Sequence, residues 1–510
     1  MNLMRKAIHQ SLLGALKGQF RLSRGHIAFA FGKWQKRIFT TTVVVGLLMT
    51  GTLAVAHPSN LGDNQVFQTN NDLERTTAEV NSAYTSAEKH PGSTDAQYAL
   101  AVALDRMGDL KTLRARHKFP YSEGYGAALE LARNNRKSHP RTDLMGKVER
   151  LEATAAPDSE KTLWEFRDTA RRYYGRARVL YQRLIALQPN NNKWQRALAV
   201  NYTKTNPGHV GIEEVRAYYQ PALTILLRLV KLEPGNDEFQ RDLAMAYETI
   251  ADQVNSMTGS LPAEYDDALA IRMKLFRRNE ENPLFVRELA VTFGKLGEAL
   301  AIRGKWEAAR DAVTDEFGLY QDLAARDPAN MEWQHDLAAA HMDFAAIKDD
   351  NNGPGKKLEG EVLAHYAQAL KIRINLIQMD PRNTEWQMDL VASHETMARF
   401  YNNRALNEKA LDSYIDAQRQ MSQLAQRYPN DRGWLFYQLY FYFSIGYENR
   451  QIQRWAAPLS QGGKFPEPEK FKAAAVTQEK IFKTMVGIID TLVRMTDAPM
   501  KPNDPAFGNL

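Results

Sequence analysis

The chain has 510 residues, more than a single hydrophobic core usually organises, so several domains or a repeat array are expected. It has no cysteine, which excludes disulfides, thiolate-held zinc, iron–sulfur clusters and thiol nucleophiles. The net charge is +6, but residues 1 to 37 carry eight basic residues and no acid. Everything after them sums to −2, so the body lacks a global nucleic-acid-binding signature.

Residues 1–37 form a basic tail in which Leu3, Ala7, Ile8, Leu12, Ala15 and Leu16 recur at helical spacing beside lysines. Residues 38–56, "IFTTTVVVGLLMTGTLAVA", contain no charge and as a helix would measure about 28 Å, enough to cross a bilayer core. The positive-inside rule puts the basic tail in the cytoplasm and residues 57–510 across the membrane. The expected location is therefore a bacterial inner membrane, single-pass, with the body in the periplasm. Ala54-Val55-Ala56 is also a small-x-small pattern that a signal peptidase could cut, releasing a periplasmic protein. The acid-free, arginine-containing start equally fits a mitochondrial presequence and an inner-membrane location there.

Residues 57–90 read as a linker and first helix, and 91–165 as a divergent helical region with amphipathic stretches at 95–107 and 121–133. From 166 to 451 a pattern recurs. Its leading aromatics are Trp194, Phe239, Phe285, Trp333, Trp386 and Trp434, spaced by 45, 46, 48, 53 and 48 residues, a solenoid period. Four residues on stand Leu198, Leu243, Leu289, Leu337 and Leu390, and one further Ala199, Ala244, Ala290, Ala338 and Val391. At plus eight come Tyr202, Tyr247, Phe293, His341, His394 and Tyr442. These offsets share one face of an amphipathic helix, expected to be buried.

A second helix precedes each copy and ends at Pro189, Pro234, Pro328, Pro381 or Pro429, or at Glu280 where the proline is lacking. Counting back, position −15 holds Tyr174, Tyr219, Tyr265, Val313, Tyr366 and Tyr414. Position −12 holds Ala177, Ala222, Ala268, Glu316, Ala369 and Ala417, and position −5 is always leucine. Asn236, Asn330 and Asn383 suit the N-cap of the helix that follows. Residues 452–468, rich in Gly, Pro and Gln, break the array, and 469–496 reads as a capping helix bearing Phe471, Ile481, Phe482, Met485, Ile488 and Leu492. The apolar run at 435–445 is too short to span a bilayer and reads as a buried helix.

The tyrosine, alanine and proline columns resemble the tetratricopeptide (TPR) family, whose 34-residue unit is a hairpin of helices A and B. Two columns depart: the leading aromatic sits one residue early, and −5 carries leucine where the family has a small residue. The resemblance implies an all-α, right-handed α-solenoid of antiparallel helix hairpins, preceded by the transmembrane or signal helix. From the plus-eight residue to the next −15 residue is 17, 18, 20, 25 and 20 residues, against 6 in the family unit. The excess therefore lies between helix A and helix B, and each hairpin should be lengthened at its turn.

No catalytic, cofactor or metal motif occurs. His335 and His341 lie six apart, about 120° around a helix, and cannot grip one ion together; His341 reads as a polar-tipped core residue. The loop "DDNNGPGKK" at 349–357 lacks the alternating acids of a calcium loop and the frame of a phosphate loop.

In the TPR family helix A lines a concave groove, and the resemblance carries a groove-facing position onto Arg196, Arg241, Arg287, His335, Met388 and Phe436. Its first four members form a basic wall suited to the carboxylates of a partner. Asp242, Glu288 and Asp336 are the acids that would otherwise occupy these side chains as internal ion pairs. The functional expectation is a non-catalytic, membrane-anchored or exported scaffold. It binds a protein or peptide, acidic in part, for cell-envelope assembly or secretion, and needs no nucleic acid or cofactor. Alternatives are a module handling exported polysaccharide, whose mark would be exposed aromatics, and a non-catalytic subunit of a membrane enzyme complex. Scattered His90, His117 and His139 offer no spacing for a catalytic site in 91–165.

Overall fold

The computed structural model describes residues 69–118, 168–207, 211–257, 261–350 and 356–427, with helical positions scattered through 435–448 and 484–491. The segment 38–56 lies outside these, as do Phe436, most of the C-terminal capping helix and the second stretch of the 91–165 region. Among the described residues no helix is long and apolar enough to cross a membrane, and no strand occurs.

The helices are α1 (Thr69–Lys89), α2 (Thr94–Lys118), α3 (168–187), α4 (Asn192–Thr203), α5 (Ile212–Leu232), α6 (Asp237–Asn255) and α7 (Glu264–Arg278). There follow α8 (Pro283–Ile302), α9 (Trp306–Arg326), α10 (Met331–Asp350), α11 (Lys356–Met379), α12 (Thr384–Asn402) and α13 (Asn407–Arg427). Contacts divide the chain into two units. One takes residues up to Asp105 and Tyr174–Ala369, the other Arg106–Tyr173 and Leu370–Leu510. In each, consecutive helices pack as antiparallel pairs.

The period arises from a join of constant length and variable helices around it. Residues 188–191, 233–236, 279–282, 327–330 and 380–383 connect one hairpin to the next. In every join the −5 leucine carbonyl accepts the last helical N–H, as Leu229 does from Glu233 at 2.9 Å and Leu376 from Asp380 at 2.9 Å. The asparagine N–H then folds back, Asn236 to Glu233 at 3.0 Å and Asn383 to Asp380 at 3.2 Å. Its side chain caps the next helix: Asn191, Asn236, Asn330 and Asn383 accept from the amide of the leading aromatic, and Asn282 from Leu284. Such a cap is worth about 1 kcal/mol. Two of these, Asn191 and Asn282, add to the three expected from sequence. Gln387 reaches back to the Pro381 carbonyl at 2.6 Å, and Gln195 and Gln240 do the same to Pro189 and Pro234.

In part the extra length is helical: α5 and α9 have 21 residues and α8 has 20, whereas α4 has 12 and α7 has 15. The −12 alanines Ala177, Ala222, Ala268, Ala369 and Ala417 are each 0% exposed, letting helix B approach its partner backbone closely. The −15 tyrosines and −5 leucines are all buried. Burying a leucine contributes about 1.5–3 kcal/mol, so these columns form the core. The plus-eight column departs from expectation: only Phe293 is buried, while Tyr202, Tyr247, His341, His394 and Tyr442 are half-buried. A long aromatic there keeps its polar end at the edge of the pair.

The array also starts earlier than the leading aromatics suggest. The join His90–Ser93 repeats the pattern: His90 donates to Ser86 at 3.0 Å, Ser93 caps Ala96 and Gln97 reaches the Pro91 carbonyl at 2.6 Å. Leu100 and Ala101 then occupy the buried leucine and alanine positions. Helix α2 is thus a helix A that carries Ala96 where later copies place an aromatic.

Candidate functional site

The arginine column forms as the sequence suggests, on successive A helices, and each guanidinium reaches the following hairpin. Arg196 contacts Asp242 at 2.5 Å and also Glu238. Arg241 holds Glu288 through three N–H contacts of 2.7–3.1 Å. Arg287 Nε lies 2.6 Å from Asp336, and its Nη1 3.3 Å from Glu332. The arginine side chains remain 32%, 22% and 23% exposed, while Asp242, Glu288 and Asp336 are 10%, 2% and 0% exposed. The pattern is a ladder: an arginine one residue before the acid column donates to the acid of the next repeat. His335 continues the column beside Asp336, and Met388 is half-buried.

Beneath the ladder lies a buried charge network that the sequence columns did not reveal. Arg272 of α7 contacts Glu248 of α6 at 3.2 Å and also Glu288 of α8. Thr292 donates to Glu248 at 2.7 Å, Lys295 meets Asp252 at 2.8 Å, and Tyr265 donates to Asp252 at 2.8 Å. Arg241, Arg272 and Lys295 balance Glu248, Asp252 and Glu288. Burial alone would raise the Glu248 pKa; Arg272, Lys295 and the Thr292 hydroxyl reverse that and hold it below the usual carboxylate value. The sequence signal was the arginine itself: position −8 holds Tyr181, Leu226, Arg272, Tyr320, Arg373 and Met421, every one buried. Arg373 serves Asp389 O at 2.7 Å and the Ser393 hydroxyl.

A carboxylate recurs inside these hairpins at a fixed place on helix A. Asp105 accepts from Asn201 at 2.6 Å and Tyr181 at 3.1 Å; Glu395 accepts from Tyr440 at 2.7 Å and from Arg399. In the α8–α9 hairpin that place on helix A is Gly294, and the acid comes from helix B as Glu316, the exception in the alanine column. A Cβ on Gly294 would stand 2.5 Å from Glu316 Oε1, so the two positions have exchanged large for small. Unlike Glu248 and Glu395, Glu316 gains no cation, and its Oε2 is buried without a hydrogen-bond partner. Burial, then Asp343, Asp336 and Glu298, push its pKa well above the ordinary value. Glu298 is raised to about 7, by burial first and then Asp343 and Asp252.

His341 does not approach His335. Its partner is His365 on α11, with the two Nδ1 atoms 2.9 Å apart and Phe317 edge-on to both rings. Burial, then His365, lower the His341 pKa to about 4, and burial lowers that of His365. No local spacing could have announced this pair, since His365 lies 24 residues on and outside every column.

Large apolar side chains stand exposed on two consecutive B helices. Val179 and Leu187 of α3 are 45% and 65% exposed, and Leu227 and Leu232 of α5 are 46% and 57% exposed. Leu187 and Leu232 occupy the same column.

Stacked helix hairpins with a repeating join define a helical-repeat array of the TPR type. Among solved structures, the chain is similar to several proteins of that class. The thermophilic TPR protein TTC0263 of Thermus thermophilus matches at 14% identity, over 44% of this chain and 92% of that one, with a TM-score of 0.26. The apo form of RapI matches at 12% over 76% and 99%, TM-score 0.33, and the P58(IPK) TPR domain at 13% over 75% and 99%, TM-score 0.21. No family model and no curated protein matches the chain. The hairpin geometry, independent of these superpositions, carries the assignment of fold.

Proposed function

We propose that the protein is a non-catalytic scaffold that binds a protein partner on its helical-repeat surface. The observation that carries this is the exposed Leu187 and Leu232, in one column of adjacent hairpins, with Val179 and Leu227 exposed on the same two helices. Scattered exposed apolar residues need no explanation, but the same column repeated on neighbouring repeats offers anchors of the kind protein interfaces bury. The arginine column enters this reading as a strut. A partner carboxylate would have to compete with Asp242, Glu288 or Asp336 for contacts already made, at the cost of weakening the pairing of a buried acid. The test is co-purification after crosslinking with Leu187→Asp/Leu232→Asp, checked for unchanged helicity. Loss of the partner supports the reading; undiminished recovery of the same partner overturns it.

Residues 38–56 supply the setting in the same proposal: an anchor, or a signal cut after Ala56, that delivers the array across a bacterial inner membrane for envelope assembly or secretion. The support is the uncharged length and the basic flank. A second reading, handling of exported polysaccharide, draws on the half-buried Tyr202, Tyr247 and Tyr442. It predicts polymer binding that tyrosine-to-alanine changes at those positions abolish.

A further inference from the structure

His341 on α10 and His365 on α11 belong to opposite helices of one hairpin, and both are half-buried. Their rings are fixed from outside the pair. Phe344 stacks on His365 with centroids 4.3 Å apart at 23°, and Phe317 of α9 meets the edges of both rings at 4.8 and 5.2 Å. Lys348 lies over the Phe344 ring and pairs with Glu361 at 2.6 Å. Glu361 sits one helical turn before His365 on the same face of α11.

Two imidazoles meeting through Nδ1 either share a proton or share an ion. For metal–nitrogen bonds of about 2.0–2.1 Å, two cis ligands stand about 2.9 Å apart at a right angle and about 3.4 Å apart at a tetrahedral angle. The observed 2.9 Å lies at the first of these values. We propose that His341 and His365 form a site for one divalent first-row transition ion of the zinc or nickel class, clasping α10 to α11, with water completing the shell. Imidazole is the ligand such ions favour, and aromatic packing of both rings removes the rotamer entropy that a loose histidine pair would lose on binding. Among the described residues no three ligating side chains converge, so the protein supplies two donors and the remaining positions stay open. Lys348 sets the strength of the site by offsetting the negative charge of Glu361 beside His365, so its removal leaves a carboxylate that favours a bound cation.

The test is calorimetric titration of the tag-free full chain with zinc chloride in a non-chelating buffer. The expected result is one zinc per chain, at least tenfold weaker binding in His341→Ala and in His365→Ala, and several-fold tighter binding in Lys348→Met. Zinc isotherms unchanged by either histidine variant would overturn the site and leave an imidazole hydrogen bond. Copper(II) bound to the wild-type chain gives a readout independent of variant folding. Its paramagnetic resonance spectrum should show two coupled imidazole nitrogens, and a spectrum without that coupling would also overturn the proposal.

Discussion

Glu316 works against the fold at neutral pH. Unfolded, its carboxyl titrates near 4.5; buried beside Asp343, Asp336 and Glu298, it keeps its proton far higher. Across that window the folded state binds more protons than the unfolded state, so stability is full below about pH 4.5 and declines as pH rises. Glu298 adds to the decline between 4.5 and about 7. Glu316→Gln should therefore raise the thermal midpoint at pH 8, by the equivalent of about 1–3 kcal/mol, and leave it nearly unchanged at pH 4. Equal shifts at both pH values would count against this account. The exchange with Gly294 makes a second prediction: Gly294→Ala destabilises, and adding Glu316→Ala restores much of the loss because the clash is gone. At Arg272 the sign is plain. Arg272→Ala leaves Glu288 with Arg241 alone and Glu248 with Thr292 and the more distant Lys295, and should cost about 3–5 kcal/mol by denaturant unfolding.

At the scale of the element, the join decides where each helix ends. Asn383→Ala removes the amide partner of Trp386 and should cost about 1 kcal/mol, read as faster hydrogen exchange confined to the first turn of α12. Protection unchanged there would mean the cap is idle. The columns were legible in the sequence because each is a periodicity within one helix: among the described residues the tyrosines, alanines, leucines and prolines lie where their spacing puts them. The α2 copy escaped because Ala96 replaces the aromatic, although Pro91, Gln97, Leu100 and Ala101 kept register. The histidine pair and the Arg272 network escaped for a different reason. Their partners come from other helices, and no spacing within one helix reports a contact across a hairpin.

For the molecule as a whole, the basic wall was visible as a column but not as a committed one. Asp242, Glu288 and Asp336 stand in their own column one residue later, and stacking brings each to the arginine of the preceding repeat. In a repeat array stability is a sum of hairpins and nearest-neighbour terms, and this ladder supplies polar neighbour terms across three successive A-helix contacts. The central claim is that these arginines are engaged within the array. A double-mutant cycle on Arg287 and Asp336, using Arg287→Met and Asp336→Asn in denaturant unfolding of the full chain, tests it most directly. Coupling of about 1–3 kcal/mol is predicted; effects that add to within about 0.5 kcal/mol would contradict the ladder and return the arginines to a partner.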